Sequence, residues 1–181
     1  MAWRSHGSSN NGLVDCLADN GLIKTDRVLD VGSGSGYLTH VLAELVKPGG
    51  TVVGVEHIQP LVDLAKKNTD KSSEGRQLLA NGSITYVKAD GRKGWTGKGG
   101  EKGYDVIHVG AAAVGFHQDL IDQLKRPGSF SIVAADACVE RRFVPRGEQF
   151  IYIVDKKEDG SVEKKKLYGV SYVPLTDAPQ E

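Results

Sequence analysis

Cysteine is nearly absent, with two in 181 residues, Cys16 and Cys138. That is no disulfide framework, and no Cys/His spacing has the pattern of a zinc site, so no metal is expected. Charge of one sign is missing as well. Twenty-three basic and 23 acidic residues cancel to a formal net charge of zero. No global field therefore draws the chain to nucleic acid or to an anionic membrane. No apolar run reaches membrane-spanning length. Met1-Ala2-Trp3-Arg4-Ser5-His6 lacks the apolar core of a signal peptide. A soluble cytoplasmic protein is the default, without nucleic-acid or membrane partners, and a monomer is expected. Asn81-Gly82-Ser83 matches a glycosylation sequon, which means little without secretion. At 181 residues the chain reads as one domain, 1–181, with room for a real core.

What is abundant is glycine, 23 residues, used most densely in Arg27-Val28-Leu29-Asp30-Val31-Gly32-Ser33-Gly34-Ser35-Gly36-Tyr37-Leu38. Val28, Leu29 and Val31 form a short apolar strand. Gly32, Gly34 and Gly36 allow positive φ and the close approach of a ligand to bare backbone. Leu38, Val41, Leu42, Leu45 and Val46 then keep the spacing of an amphipathic helix from Tyr37 to Val46. Lys47-Pro48-Gly49-Gly50 stops it, and Thr51-Val52-Val53-Gly54-Val55 is a second strand ending in Glu56. A βαβ unit with an acid at the tip of its second strand is the layout of a nucleoside-binding crevice.

The dinucleotide fingerprint needs glycine at its first, third and sixth positions. Counting from Gly32 the sixth residue is Tyr37, and from Gly34 it is Thr39, so a nicotinamide cofactor is disfavoured. Asp30, at the end of the first strand, would repel a pyrophosphate and favour a cationic ligand with a free amino group. S-adenosylmethionine, with a sulfonium and an ammonium group, is such a ligand. Glu56 follows the glycines by about 20 residues, where a carboxylate accepts both ribose hydroxyls.

The rest of the chain continues the alternation. Leu13, Val14, Leu17 and Ala18 predict a helix from about Ser9 to Asn20, stopped by Asn20-Gly21. Pro60 suits a helix first turn, with Leu61, Val62 and Ala65 inward. Residues 69–82 read as polar and turn-rich, Ser83–Val87 as a third strand, and residues 91–103 as an exposed loop. Tyr104–Val109 is apolar enough for a central parallel strand, followed by the small residues Gly110–Ala113 where a ligand could approach. Phe116–Arg126 reads as a helix closed by Pro127-Gly128, and Ser129–Ala135 as a fifth strand. Gln149–Val154 and Leu167–Val173 form an antiparallel hairpin around Lys156–Gly160. The order predicts an α/β sandwich, mostly parallel, with a C-terminal antiparallel hairpin at its edge.

Several runs resemble the protein-L-isoaspartate O-methyltransferases, enzymes that methylate isoaspartyl residues in damaged proteins with S-adenosylmethionine. They are Asn20-Gly21-Leu22-Ile23-Lys24-Thr25-Asp26, Leu29–Gly36, Val55-Glu56-His57-Ile58, Asp90-Gly91-Arg92, Tyr104–Ala112, Leu120–Lys125 and Gly169–Asp177. The glycine motif is generic to methyltransferases; the His-Val-Gly-Ala-Ala run and the terminal Tyr-Val-Pro-Leu-Thr-Asp are specific. The resemblance implies a Rossmann-like class I methyltransferase sandwich that binds S-adenosyl-L-methionine and acts on isoaspartyl-containing peptides and proteins. It implies that Asp30, Gly32, Ser35 and Gly36 surround the methionine end of the cofactor, with Ser33 and Gly34 also among the cofactor-binding residues of the turn. Glu56 and His57 fall at the ribose and adenine edge, Asp90 and Gly91 at the adenine, and Thr176 closes the site. Isolated histidines beside strands are more often structural, so neither His57 nor His108 is given an acid–base role.

Two departures from the family pattern stand out. Thr25-Asp26-Arg27-Val28 joins directly to Leu29-Asp30, where the family carries a substrate-facing block whose Ser/Thr hydroxyl is catalytic. No Ser-Ala-Pro-His segment occurs, so no catalytic residue is assigned. Arg142-Phe143-Val144-Pro145-Arg146-Gly147 resembles the family's fifth strand better than Ser129–Ala135 does, which makes 129–141 an insertion. Isoaspartyl carboxylates, with an unperturbed pKa of about 4, are already ionised at neutral pH and need no general base. Orientation of carboxylate and methyl, on the order of 7–11 kcal/mol, is what such an enzyme must supply. A chain without the block is expected to bind cofactor with impaired activity; the alternative is an inactive S-adenosylmethionine-binding module.

Overall fold

Strand β1 (Arg27–Val31) begins the sheet in the computed structural model, which describes residues 26–113, 115–135 and 149–170. The expected helix at 9–20, the run 142–147 and the end of the hairpin beyond Val170 lie outside the described residues. After β1 come α1 (Tyr37–Leu45), β2 (Thr51–Glu56), α2 (Gln59–Thr69), α3 (Ser73–Ala80) and β3 (Ile84–Lys88). A single 3-10 turn at Gly91–Lys93 precedes β4 (Tyr104–Ala113), α4 (Gln118–Gln123), β5 (Leu124–Ala135), β6 (Gln149–Lys156) and β7 (Val162–Val170).

The seven strands form one sheet in the order β3-β2-β1-β4-β5-β6-β7. β3, β2, β1, β4 and β5 run parallel, whereas β5–β6 and β6–β7 pair antiparallel. The predicted architecture is therefore the observed one. Successive side chains of a strand point to opposite faces, and the two cores follow that alternation. Val28, Val52, Ile84 and Val106 meet Leu42 and Val46 of α1, Val62 and Ala65 of α2 and Leu78 of α3 on one face. Leu29, Val31, Val53, Val55, Ile107 and Val109 meet Leu120, Leu124 and Val154 on the other. Strands buried on both faces are rich in Val, Leu and Ile for that reason.

Four expectations are corrected by packing. Residues 73–80, read as turns, form α3: Ser72 caps it, its Oγ accepting from the Gly75 amide at 2.9 Å. Gly75 is required there, since a Cβ would fall 1.8 Å from the Thr69 carbonyl oxygen. Residues 91–103 are more anchored than an exposed loop. The Arg27 guanidinium donates to the Gly103 carbonyl at 3.1 Å and to that of Gly99, and Trp95 packs against the second core. Gln123 accepts from the Trp95 amide at 2.8 Å and donates to the Lys93 carbonyl at 2.7 Å.

The helix read as Phe116–Arg126 spans only Gln118–Gln123. Pro127 has no N–H for the Gln123 carbonyl, and it pushes Arg126 into extended backbone. Lys156, buried on β6, takes over the end of α4 by donating to the carbonyls of Ile121 at 2.7 Å and Leu124 at 2.9 Å. The residues 110–113, expected to let a ligand approach, continue β4, and the burial of Ala111, Ala112 and Ala113 leaves Gly110 alone of the four partly open. Ser129–Ala135 occupies the fifth-strand place, pairing with both β4 and β6. Among the described residues no helix is long and apolar enough to cross a membrane.

Candidate functional site

The sheet's strand order reverses between β1 and β4, and an open α/β sheet offers its ligand crevice at such a point, outside the carboxyl ends of the strands. The glycine turn lies there. The amides of Gly32 and Ser33 both donate to the Val55 carbonyl, at 2.8 and 3.1 Å, which ties the turn to the tip of β2. Gly32 has φ 85° and is exposed; a Cβ on it would face the carbonyl carbon of Gly110 at 3.9 Å. Gly110 in turn would bring a Cβ to 3.6 Å from the Gly32 carbonyl oxygen. Two glycines thus oppose each other, Gly32 just past β1 and Gly110 within β4, a floor of bare backbone that a Cβ would narrow.

Glu56 ends β2 and is 6% exposed. Its Oε2 accepts from the Gly34 amide at 3.2 Å, and its Oε1 accepts from the amides of His57 at 2.8 Å and Ile58 at 3.2 Å. The His57 ring reaches the same Oε1 with Nδ1 at 3.1 Å. The backbone thus holds Glu56 in place, and Oε2, with one contact for its two lone pairs, keeps capacity for a further donor.

Asp90 and Gly91 close the other side. A Cβ on Gly91 would collide with Cγ1 of Val31 at 2.3 Å, so only glycine lets this turn rest on the end of β1. Asp90 is gripped by Arg92, with Nε to Oδ1 at 2.9 Å and Nη2 to Oδ2 at 2.8 Å. That pairing holds the carboxyl below its ordinary value. His117, before α4, has its pKa lowered first by burial and then by the Arg92 charge.

Asp30 is placed differently from a ligand-facing acid. It is 1% exposed, with Oδ2 accepting from Thr39 Oγ1 at 2.6 Å and Oδ1 2.8 Å from Nδ1 of His108. Both carboxylate oxygens are used inside the fold, beneath the turn. An ionised carboxylate only accepts, so Nδ1 of His108 carries the proton. Ser33 also turns inward. Its Oγ is buried without a hydrogen-bond partner, and its Cβ lies 3.0 Å from where a Cβ of Gly54 would stand. Ser35 is exposed, its carbonyl accepting from Asn68 Nδ2 at 3.0 Å. Thr176 lies outside the described residues.

These contacts bring Gly32, Gly34, Glu56, His57, Asp90 and Gly91 together at the carboxyl ends of β1, β2 and β3, with Asp30 and Ser33 buried beneath the turn. Sequence reasoning missed Thr39, Tyr86, Arg92 and His117. Arg92 alone had a signal, two residues after an acid in a turn. A separate cleft of about 530 Å³ opens between α1 and α2, lined by Ser35, Gly36, Tyr37, His40, Glu44 and Asn68 among others. It touches the back of the turn and not Glu56 or Asp90. Among the described residues there is no cluster of three or more potential metal ligands.

An exposed glycine turn on β1, an acid on β2 and a parallel sheet flanked by antiparallel strands are the features of a class I S-adenosylmethionine-dependent methyltransferase fold. An O-methyltransferase of that class from Thermotoga maritima shares it, with a TM-score of 0.54 at 22% identity over 74% of this chain and 46% of that one. The model of the protein-L-isoaspartate(D-aspartate) O-methyltransferase family matches residues 8–180, and the chain belongs to that family.

Protein-L-isoaspartate O-methyltransferase 2 of Arabidopsis thaliana is 44% identical over 157 residues, 86% of this chain and 46% of its own length. The Caenorhabditis elegans enzyme is 38% identical over 162 residues, 90% of this chain and 66% of its own. A Plasmodium falciparum chain described as a member of the family, solved with S-adenosyl-L-homocysteine, has a TM-score of 0.77 and 26% identity, over 97% of this chain and 79% of that one. The chain spans about half the length of several curated relatives it matches, from 46% to 59% of the first three.

Proposed function

We propose that this chain is an S-adenosyl-L-methionine-dependent protein-L-isoaspartate O-methyltransferase domain acting on isoaspartyl carboxylates in damaged proteins, a cytoplasmic monomer. The observation that carries the reading is the Glu56 carboxylate fixed 3.2 Å from the Gly34 amide, beside the bare backbone of Gly32 and Gly110. A carboxylate with acceptor capacity next to a glycine floor fits an adenosyl group: an acceptor for ribose hydroxyls and no side chain in the way. Gly32, Gly34, Ser35 and Gly36 would hold the methionine end, Glu56 and His57 the ribose, and Asp90 and Gly91 the adenine. Ser33, Asp30 and Thr176 complete the proposed set, the first two from beneath. When bound, the cofactor supplies an electrophilic methyl group.

The chain's own contribution is to orient and to exclude water. An isoaspartyl carboxylate is ionised at neutral pH, so no side chain has to remove a proton. The second reading, an inactive binding module, is favoured by one observation: β1 runs unbroken from Arg27 to Val31 across the Val28–Leu29 junction, where the family pattern carries its hydroxyl-bearing block. Titration calorimetry with S-adenosylhomocysteine and a methylation assay on an isoaspartyl peptide, with the aspartyl peptide as control, test both. Binding with turnover supports the first reading and binding without turnover the second. A thermal shift with NAD and none with S-adenosylhomocysteine overturns both.

A further inference from the structure

One row of residues crosses four strands beneath the glycine turn. In the sheet register Tyr86 of β3 stands opposite Gly54 of β2, Gly54 opposite Asp30 of β1, and Asp30 opposite His108 of β4. Residues at equivalent register share a face, here the face covered by α1 and α2. Three of the four are polar, and Tyr86, Asp30 and His108 are 5%, 1% and 3% exposed. A buried polar row in a sheet otherwise filled with Val and Ile needs a reason, because each unmatched group costs free energy.

The hydrogen bonds supply one. Oη of Tyr86 donates to the Gly36 carbonyl at 3.1 Å, and with its only proton so used it accepts from Thr69 Oγ1 of α2 at 2.9 Å. Thr39 of α1 donates to Asp30, which also receives the Nδ1 proton of His108. Two glycines make room for the phenol. A Cβ on Gly54 would sit 2.8 Å from Cδ1 of Tyr86, and a Cβ on Gly36 would sit 2.6 Å from its Oη. Gly54 therefore lies in the middle of β2, where glycine weakens a strand, so that the Tyr86 ring can cross it. The Gly36 carbonyl is also the first acceptor of α1, taking the His40 amide at 3.0 Å. Tyr86 thus grips the hinge between turn and helix.

We propose that Tyr86 is a positioning residue of the adenosyl-binding turn: it reaches across Gly54 to fix the Gly36 carbonyl, and the Asp30–His108 pair fixes the strand ends beside it. The proposal rests on the adenosyl-site reading given above. Tyr86 touches no ligand; it acts through Gly36.

The test is the affinity of the full chain for S-adenosylhomocysteine, measured by calorimetry well below the thermal midpoint, for the parent, Tyr86→Phe and the core control Ile84→Val. Losing one neutral hydrogen bond to the turn weakens binding about three- to tenfold in Tyr86→Phe. Ile84→Val, two residues away on the same buried strand face, lowers the midpoint and leaves affinity unchanged. In the methylation assay the KM for S-adenosylmethionine rises with Tyr86→Phe while the KM for peptide does not.

A Tyr86→Phe variant that binds within twofold of the parent while melting earlier overturns the proposal and makes Tyr86 ordinary core. Should Tyr86→Phe fail to fold, Thr69→Val removes the hydroxyl that steadies Oη from α2. Weaker binding by that variant supports the proposal, and unchanged binding overturns it. A parent chain that takes up no S-adenosylhomocysteine overturns the site reading itself, an outcome distinct from a variant effect.

Discussion

The parallel and antiparallel halves of the sheet obey opposite rules. In the parallel half β1 and β2 have no residue more than half-exposed and are covered on both faces, with polar side chains confined to Asp30 beneath the glycine turn and to the strand ends at Arg27, Thr51 and Glu56. In the antiparallel half β7 carries Lys164, Lys165 and Lys166 in succession, all exposed. Lys164 lies 4.0 Å over the Phe116 ring and Lys166 3.4 Å over that of Phe150, so aliphatic stems cover aromatic surface while the charge stays near water. Lysine on a terminal strand also discourages unwanted pairing. The comparison teaches where a site can form. Parallel strands bring their carboxyl ends, and the turns that follow, to one end of the sheet, while the antiparallel strands distribute theirs.

Asp30→Ala should break the parallel half most severely. It strands the His108 donor and the Thr39 hydroxyl in a fully buried place, a loss of about 1–3 kcal/mol for each group left without its partner. Urea unfolding measures it, and a loss below about 1 kcal/mol would mean that Asp30 is not the hub described.

Lys156→Met probes the other half. It leaves the carbonyls of Ile121 and Leu124 without their charged donor, at a cost of about 1.5–3 kcal/mol. The denaturation midpoint falls with an unchanged slope if α4 stays docked, and a lower slope shows that α4 has detached.

A pH series gives the third and smaller effect. His117 has a folded pKa below its ordinary 6.5, because burial and Arg92 disfavour its charged form. The unfolded chain therefore binds more protons once the pH drops below 6.5, and stability declines from there through the folded value. Asp90, already held below 3.8 by Arg92, does not contribute until more acid conditions. His117→Gln should flatten the decline that sets in below the ordinary histidine value in thermal scans; a parent slope that persists in the variant assigns it to other groups. Smallest is the exposed Lys157–Glu163 pair at 2.8 Å. Replacing both by Ala should leave the thermal midpoint where it is, as exposed pairs usually do.

The sequence made the parallel half legible because periodicity and glycine chemistry coincide there. Val28 to Val31, the helix after Gly36 and the strand ending at Glu56 were each readable from two independent signals. Of the candidate site, Gly32, Gly34 and Glu56 are legible for the same reason, since they stand at strand ends, whereas Asp90 and Gly91 are suggested by the family resemblance. What could not be read was which polar residues face inward. Asp30 looks like a ligand-facing acid until its register with Gly54 and His108 puts it under the turn. Tyr86 looks like one more strand aromatic until the missing Cβ atoms of Gly54 and Gly36 explain its path. The short α4 escaped because its terminator, Lys156, lies 33 residues beyond its last residue and on another strand. Long-range hydrogen bonds leave no periodic trace.

Arg27 gives the glycine-rich crossing before β4 a property its composition would not suggest. One guanidinium at the foot of the first strand clasps the carbonyls of Gly99 and Gly103, and the Arg27 amide donates to Asp105 at 2.8 Å. Residues far apart in the chain thereby become a single cooperative patch at the base of the sheet. A protease or a deuterium label should find the stretch 97–103 slow to open, and it should loosen only when the central strands themselves let go.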